Sequence, residues 1–350
     1  MRDDGVTIAK GIAIILMVLG HTHCPDVVNN YLVMMRMPLF FFMSGYCFKT
    51  KYLNDARSYL KKRVTGIYWP YLKWSLFFLL IHNICFRLNI YSNEYGFEGR
   101  TSSLYTIPDF VNHAFSIVTK MKGHEQLVGG YWFLKSLFVG SVIFYASMRL
   151  LKGAKTGVLL LLALSILLTF TNWKIPFFHI GSRECFAAFY LYVGHLYKQF
   201  GLNWHRNIWL NIIFAIIVGI GSVYWQAPMI KLNYIQMFPY AVSSVMGILV
   251  MFNISQHIAQ ANLPKTKPFL IYVGGYTFNV LTWHFISMKV VSLLIICLYG
   301  LSIKRLSEFA VIDEYARQGW WTVYFLAGVA IPVVGTYCYH KAKLHKRKAM

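Results

Sequence analysis

Long apolar stretches separated by short polar connections dominate the chain. A helix needs about 20 mostly apolar residues to cross a bilayer. Ten runs approach or exceed that length: 6–23, 30–48, 66–86, 131–150, 156–172, 183–200, 207–225, 233–257, 268–298 and 320–340. The run 156–172 is short, and 268–298 is long enough to be tilted, or broken near Gly274-Gly275. The pattern predicts an all-α fold, a polytopic membrane helix bundle of about ten transmembrane helices, read as one domain over 1–350.

Composition sharpens this picture. Of 350 residues, 57% are hydrophobic and only 13% charged, where an average soluble domain carries roughly 25% charged residues. So little charge cannot hydrate the surface of a globule of this size, which excludes a soluble enzyme. The net charge of +22 would suggest nucleic acid in a soluble protein. Here the basic residues sit in short clusters between apolar runs, so nucleic acid is excluded and the pattern reads as positive-inside. The six cysteines are scattered without C-x-x-C spacing, so neither a metal site nor a disulfide framework is expected. Two acidic residues precede the first run and no small-x-small site follows it, which reads as an uncleaved span.

Counting Lys and Arg in the connections sets the orientation. The N-terminus, 49–65, 149–155, 198–206, 258–267 and the C-terminus hold 20 of them with Lys10 counted. The segments 24–29, 87–130, 173–183, 226–232 and 299–319 hold 10, with nine acidic residues once Glu184 at the boundary is counted. Both termini are therefore expected in the cytoplasm. The loop 87–130 is extracytoplasmic in this reading, either a lid or an ordered surface loop. The tail 341–350 is basic and cytoplasmic, suited to contact with anionic lipid.

Ionisable residues inside spans are costly and are functional candidates by default. Arg36, Lys73, Lys135 and Lys289 fall within runs. Lys73 and Lys135 lie near span ends and can snorkel. Arg36 lies six residues into the second run, with Pro38 just after it to break the local ladder. In the first run, Lys10 and His21 are eleven residues apart. On a helix they share one face, separated by about 16 Å along the axis. That is near the reach of an extended phosphopantetheine arm, with Lys10 able to hold a phosphate while the thioester reaches the imidazole.

K-x10-H followed by RMPLFFFMSGY (36–46) resembles the acyltransferase-3 family of integral-membrane acyltransferases, of the bacterial polysaccharide O-acetyltransferase type. YLKKRVTGIYWPYL (59–72), YWFLKSLF (131–138), FYLYVGHLYK (189–198) and GGYTFNVLTWHF (274–285) are similar to further segments of that family. One departure is that Lys10 stands where Arg is commoner, and Lys is the poorer bidentate phosphate partner. The resemblance implies transfer of an acyl group, usually acetyl, from cytoplasmic acyl-CoA to a hydroxyl of a cell-envelope or exported polysaccharide or its lipid-linked precursor. It places the chain in a bacterial inner membrane.

Under that resemblance His21 is the general base and Arg36 stabilises the oxyanion. Lys10, Lys62 and Arg63 meet the phosphates of acetyl-CoA, the acyl donor. Trp132, His284 and Glu125 are candidates for acceptor binding, with Glu94, Glu98, Asp109, His113 and His124 as further polar groups of the outer loop. His82 and His195 read as interior hydrogen-bonders or interfacial residues. Ser44-Gly45 reads as helix packing rather than a nucleophile. A transporter or flippase of a glycan or lipid-linked intermediate is the alternative, although neither inverted repeats nor paired broken helices are visible. The expected partners are acyl-CoA, a glycan acceptor and membrane lipids; nothing in the pattern sets an oligomeric state.

Overall fold

The computed structural model of the chain describes residues 3–95, 101–225, 227–229 and 231–348. Glu98 therefore lies outside the described residues, as do Arg2 and the last two residues of the basic tail. Among the described residues there is no strand, only an isolated antiparallel bridge between Ile175 and Ile180. The helices are α1 (Asp4–Leu19), α2 (Asp26–Val33), α3 (Arg36–Tyr46), α4 (Ala56–Arg63), α5 (Trp69–Leu80), α6 (His82–Arg87), α7 (Ile107–Lys120) and α8 (Trp132–Leu150). They continue with α9 (Thr156–Phe170), α10 (Ser182–Gln199), α11 (Ile208–Tyr224), α12 (Tyr234–Gln260), α13 (Thr266–Gly275), α14 (Thr277–Tyr299), the short α15 (Asp313–Tyr315) and α16 (Trp321–Lys348).

All ten apolar runs fall on helical chain, and the protein is an all-α membrane bundle. Among the described residues, four helical stretches are long and apolar enough to cross a membrane by themselves: Gln126–Leu150, Tyr234–Gln260, Thr277–Tyr299 and Asp313–Leu344. The others are shorter or interrupted. The run 268–298 breaks where the glycines suggested, with α13 ending at Gly275 and Tyr276 outside helical geometry. The run 30–48 breaks at Met34-Met35. Pro38 supplies the reason: in a continuous helix its ring would strike the carbonyl of Met34, four residues back. Breaking there puts Pro38 in the first turn of α3, where its missing N–H costs nothing. Arg36 thereby becomes the first residue of a helix rather than an interior one.

Two glycine contacts bring the central helices together. A Cβ on Gly194 would fall 2.1 Å from the Phe42 carbonyl oxygen, and one on Gly45 would fall 1.8 Å from that of Leu191. Helix α3 thus meets α10 backbone to backbone. In the same way a Cβ on Gly274 would fall 1.9 Å from the Thr7 carbonyl oxygen, and one on Gly11 would fall 2.5 Å from that of Leu270. That seam docks α13 on α1. Small residues at such crossings let dispersion and close approach replace the missing hydrophobic drive between membrane helices. Helix α1 also packs against α3, α12, α14 and α16, so the central position falls to the K-x10-H helix.

The connection 87–130 is ordered over its described part. Asp109 accepts from the Thr106 backbone N–H at 2.8 Å and from its hydroxyl at 2.6 Å, capping α7. These bonds hold the Asp109 carboxyl below its usual range. Asp109 is therefore committed to folding the loop rather than to a ligand. The first eight residues of the basic tail continue α16 as helix.

Candidate functional site

Helix α1 ends at Leu19 rather than running on through His21. The chain tightens, with the His21 N–H donating to the Val18 carbonyl at 3.0 Å, so a turn and not a straight helix aims the imidazole. The shared-face argument for Lys10 and His21 holds only as far as that turn. Gly20, at the turn, leaves room for the Arg36 side chain to lie across it: a Cβ there would stand 1.8 Å from Arg36 Nη1. Arg36 Nη1 also donates to Asn29 Oδ1 at 2.8 Å, across the break between α2 and α3. The guanidinium is thereby fixed from both sides.

His21 and Arg36 line one cavity of about 320 Å³, together with Asn29, Trp132, Met229 and Leu281. Its size is that of a small-molecule site. His284 lies against it from α14, with its ring centroid 5.5 Å from that of His21. His284 Nδ1 is within hydrogen-bond distance of the Leu281 carbonyl at 2.9 Å and of the Val280 carbonyl at 3.2 Å, which assigns the proton to Nδ1. Its Nε2 is buried without a partner. Phe285 packs on both histidines.

Lys10, Lys62 and Arg63 meet in a second cavity of about 380 Å³. Its walls include Phe40, Phe48, Tyr52, Tyr59 and Phe133, and among the described residues no Asp or Glu lines it. Lys62 hydrogen-bonds the Tyr52 hydroxyl and lies 4.9 Å from that ring's centroid. Arg63 donates to the Ser44 hydroxyl at 3.1 Å and lies over the Tyr59 ring at 4.9 Å. Ser44 therefore serves a cation here and is not paired with a base. Leu281 lines both this cavity and the one holding His21.

A third cavity of about 510 Å³ is walled by residues from 121–125 and 172–184 and by Met229 and Leu232. Trp132 and Met229 line it and also the His21 cavity. Glu125 reaches this cleft, but its carboxylate is paired with His82 Nδ1 at 3.0 Å, both side chains being buried. Burial pushes the Glu125 carboxyl up, against the pull of His82. His82 Nε2 meets the Ser103 carbonyl at 2.9 Å, and Tyr105 stacks on its ring, so the pair ties the outer loop to the bundle. His82 is the interior hydrogen-bonder the sequence suggested. His195 is not: both ring nitrogens are buried without partners, and the ring packs on Phe48 and Phe144. His113 and His124 pack against each other at a tilt with ring centroids 4.3 Å apart, and neither lines the three cavities. Lys135 reaches the His179 carbonyl at 3.2 Å, as expected of a cation leaving its span.

Two mostly apolar chambers and a charged third, adjoining one another within a membrane helix bundle that carries neighbouring histidines and an arginine, suit group transfer between two substrates. The family model described as an acyltransferase domain matches residues 3–340, and the chain belongs to this acyltransferase-3 family of membrane acyltransferases. No curated protein and no solved structure matches it.

Proposed function

We propose that the protein is an O-acetyltransferase of a bacterial cytoplasmic membrane. It takes the acetyl group from cytoplasmic acetyl-CoA and passes it to a hydroxyl of a cell-envelope or exported polysaccharide, or of its lipid-linked precursor. The observation that carries this reading is the grouping of side chains. Lys10, Lys62 and Arg63 line one cavity, His21 and Arg36 line the next, and only Leu281 is common to both. A cavity with three cations, several aromatic rings and no carboxylate suits the phosphates and adenine of CoA. The positive-inside count puts it on the cytoplasmic side.

The acceptor hydroxyl oxygen attacks the acetyl carbonyl carbon while His21 takes the hydroxyl proton. Arg36, held by Asn29 and the bare backbone of Gly20, faces the negative charge that develops on the carbonyl oxygen. The carbon–sulfur bond then breaks, and the CoA thiolate leaves with the proton carried by His21. The unpartnered Nε2 of His284 gives the reacting groups a second acceptor close to His21. Purified His21→Ala should bind acetyl-CoA and transfer none of it, and Lys10→Ala should weaken acetyl-CoA binding. Transfer by His21→Ala at the unmodified rate would refute the base.

A further inference from the structure

The outer chamber has a chemical character that the transfer reaction alone does not require. Lys122, Lys135, Lys174 and Arg183 line it, against two carboxylates, Glu125 and Glu184. Both carboxylates are already engaged. Glu125 is paired with His82. Glu184 accepts from the Gly181 backbone N–H at 2.9 Å and from Arg183 at 3.4 Å, at the start of α10. Lys135 Nζ, though buried, has a neutral carbonyl as its partner. Lys122 and Lys174 are exposed, and neither has a side-chain partner among the described residues.

Five further acidic groups of that side are engaged elsewhere. Glu94 pairs with Lys304 at 2.6 Å, and Glu308 and Glu314 both pair with Arg305. Asp313 pairs with Arg317 at 2.9 Å, and Asp109 caps α7. Among the described residues, Lys122, Lys135 and Lys174 thus share one cleft with no ion pair to a carboxylate, beside Arg183, whose contact with Glu184 is long at 3.4 Å. His179, on the rim, responds to them: its pKa is lowered by partial desolvation and then by Lys174, Lys135, Lys120 and Lys122. The cleft adjoins the His21 chamber through Trp132, whose ring also carries the Arg183 guanidinium at 5.4 Å.

We infer that this cleft is the acceptor site and that the acceptor is anionic, its carboxylate or phosphate held by Lys122, Lys135, Lys174 and Arg183 while a hydroxyl passes Trp132 toward His21. The inference rests on the transfer reading above and narrows its substrate class to acidic glycans or phosphate-linked ones. Clefts lined by one sign of charge focus the field and raise the local concentration of the oppositely charged ligand.

The test is equilibrium binding to the purified full chain in neutral detergent. Tetragalacturonate should bind about tenfold or more tightly than maltotetraose at low salt, with the gap narrowing as salt rises. The double variant Lys122→Glu/Lys174→Glu should lose that preference, while Lys304→Glu, an equal charge change per site outside the cleft, should keep it. Displacement of bound maltotetraose by farnesyl phosphate, without tightened tetragalacturonate binding, would support the inference with the linkage phosphate as the anion. Equal affinity for both tetrasaccharides together with no competition by farnesyl phosphate would overturn it. Should the double variant fail to fold, the salt dependence of the unmodified protein and Lys122→Gln decide the matter. Acetyl-CoA hydrolysis to free CoA, followed in parallel, reports the donor reading separately. Hydrolysis with no anion preference refutes only the acceptor chemistry, whereas anion preference without any acetyl-CoA binding refutes the donor reading.

Discussion

Gly20→Ala separates catalysis from stability more cleanly than any substitution of the ionisable groups. The backbone at Gly20 has φ −68° and ψ −5°, so alanine adopts it without strain. Helix propensity favours the change by up to about 1 kcal/mol. The new Cβ, however, would stand 1.8 Å from Arg36 Nη1 and 2.2 Å from its Cζ. Non-bonded heavy atoms settle near 3.5 Å, so the guanidinium must retreat by roughly 1.5 Å. It is the flexible end of a side chain and can do so, giving up its bond to Asn29. A misplacement of about 1 Å at a reacting centre costs on the order of a hundredfold in rate, equivalent to about 2.7 kcal/mol of transition-state stabilisation. Gly20→Ala should therefore transfer acetyl about a hundredfold more slowly while its unfolding midpoint stays level or rises. A transfer rate within about twofold of the unmodified protein would refute the placement of Arg36 at the reacting carbonyl. A parallel fall of rate and stability would refute the claim that the clash is absorbed by one side chain.

Gly194→Ala should behave in the opposite way. Its Cβ would meet the Phe42 backbone 2.1 Å away, which cannot swing aside, so overpacking of about 1–3 kcal/mol should appear as a lower unfolding midpoint in detergent. His82→Ala should destabilise the fold by roughly 3 kcal/mol or more, because it strands the buried Glu125 carboxylate. Because the folded-state pKa of Glu125 is raised, its contribution is fully present below the ordinary carboxyl range and is lost as pH rises through the raised value. Glu125→Gln should remove that slope from a plot of unfolding midpoint against pH, and an unchanged slope would refute the assignment.

Much of this was legible in the chain. Each of the ten apolar runs falls on helical chain, although α7, in the polar connection 87–130, was not among them, and Gly274-Gly275 marked the break between α13 and α14. Lys10, Lys62 and Arg63 were grouped by charge and by family resemblance, and they do share a cavity. His21 and Arg36 likewise share one, because α3, which begins at Arg36, packs on α1. What the chain did not disclose depends on contacts between distant segments. The 5.5 Å approach of His284 to His21 follows from α14 packing on α1, which no local spacing encodes. The commitment of Glu125 to His82, forty-three residues away, is equally silent in sequence. Gly20 fell inside the first apolar run with nothing to single it out, since its use is a space and a space leaves no pattern.

The serial arrangement of the three chambers bears on something other than catalysis. Leu281 is the common wall of the first two, and Trp132 with Met229 the common wall of the last two. Each of these three side chains therefore belongs to two linings at once, so a substitution at any one of them reshapes two neighbouring chambers together.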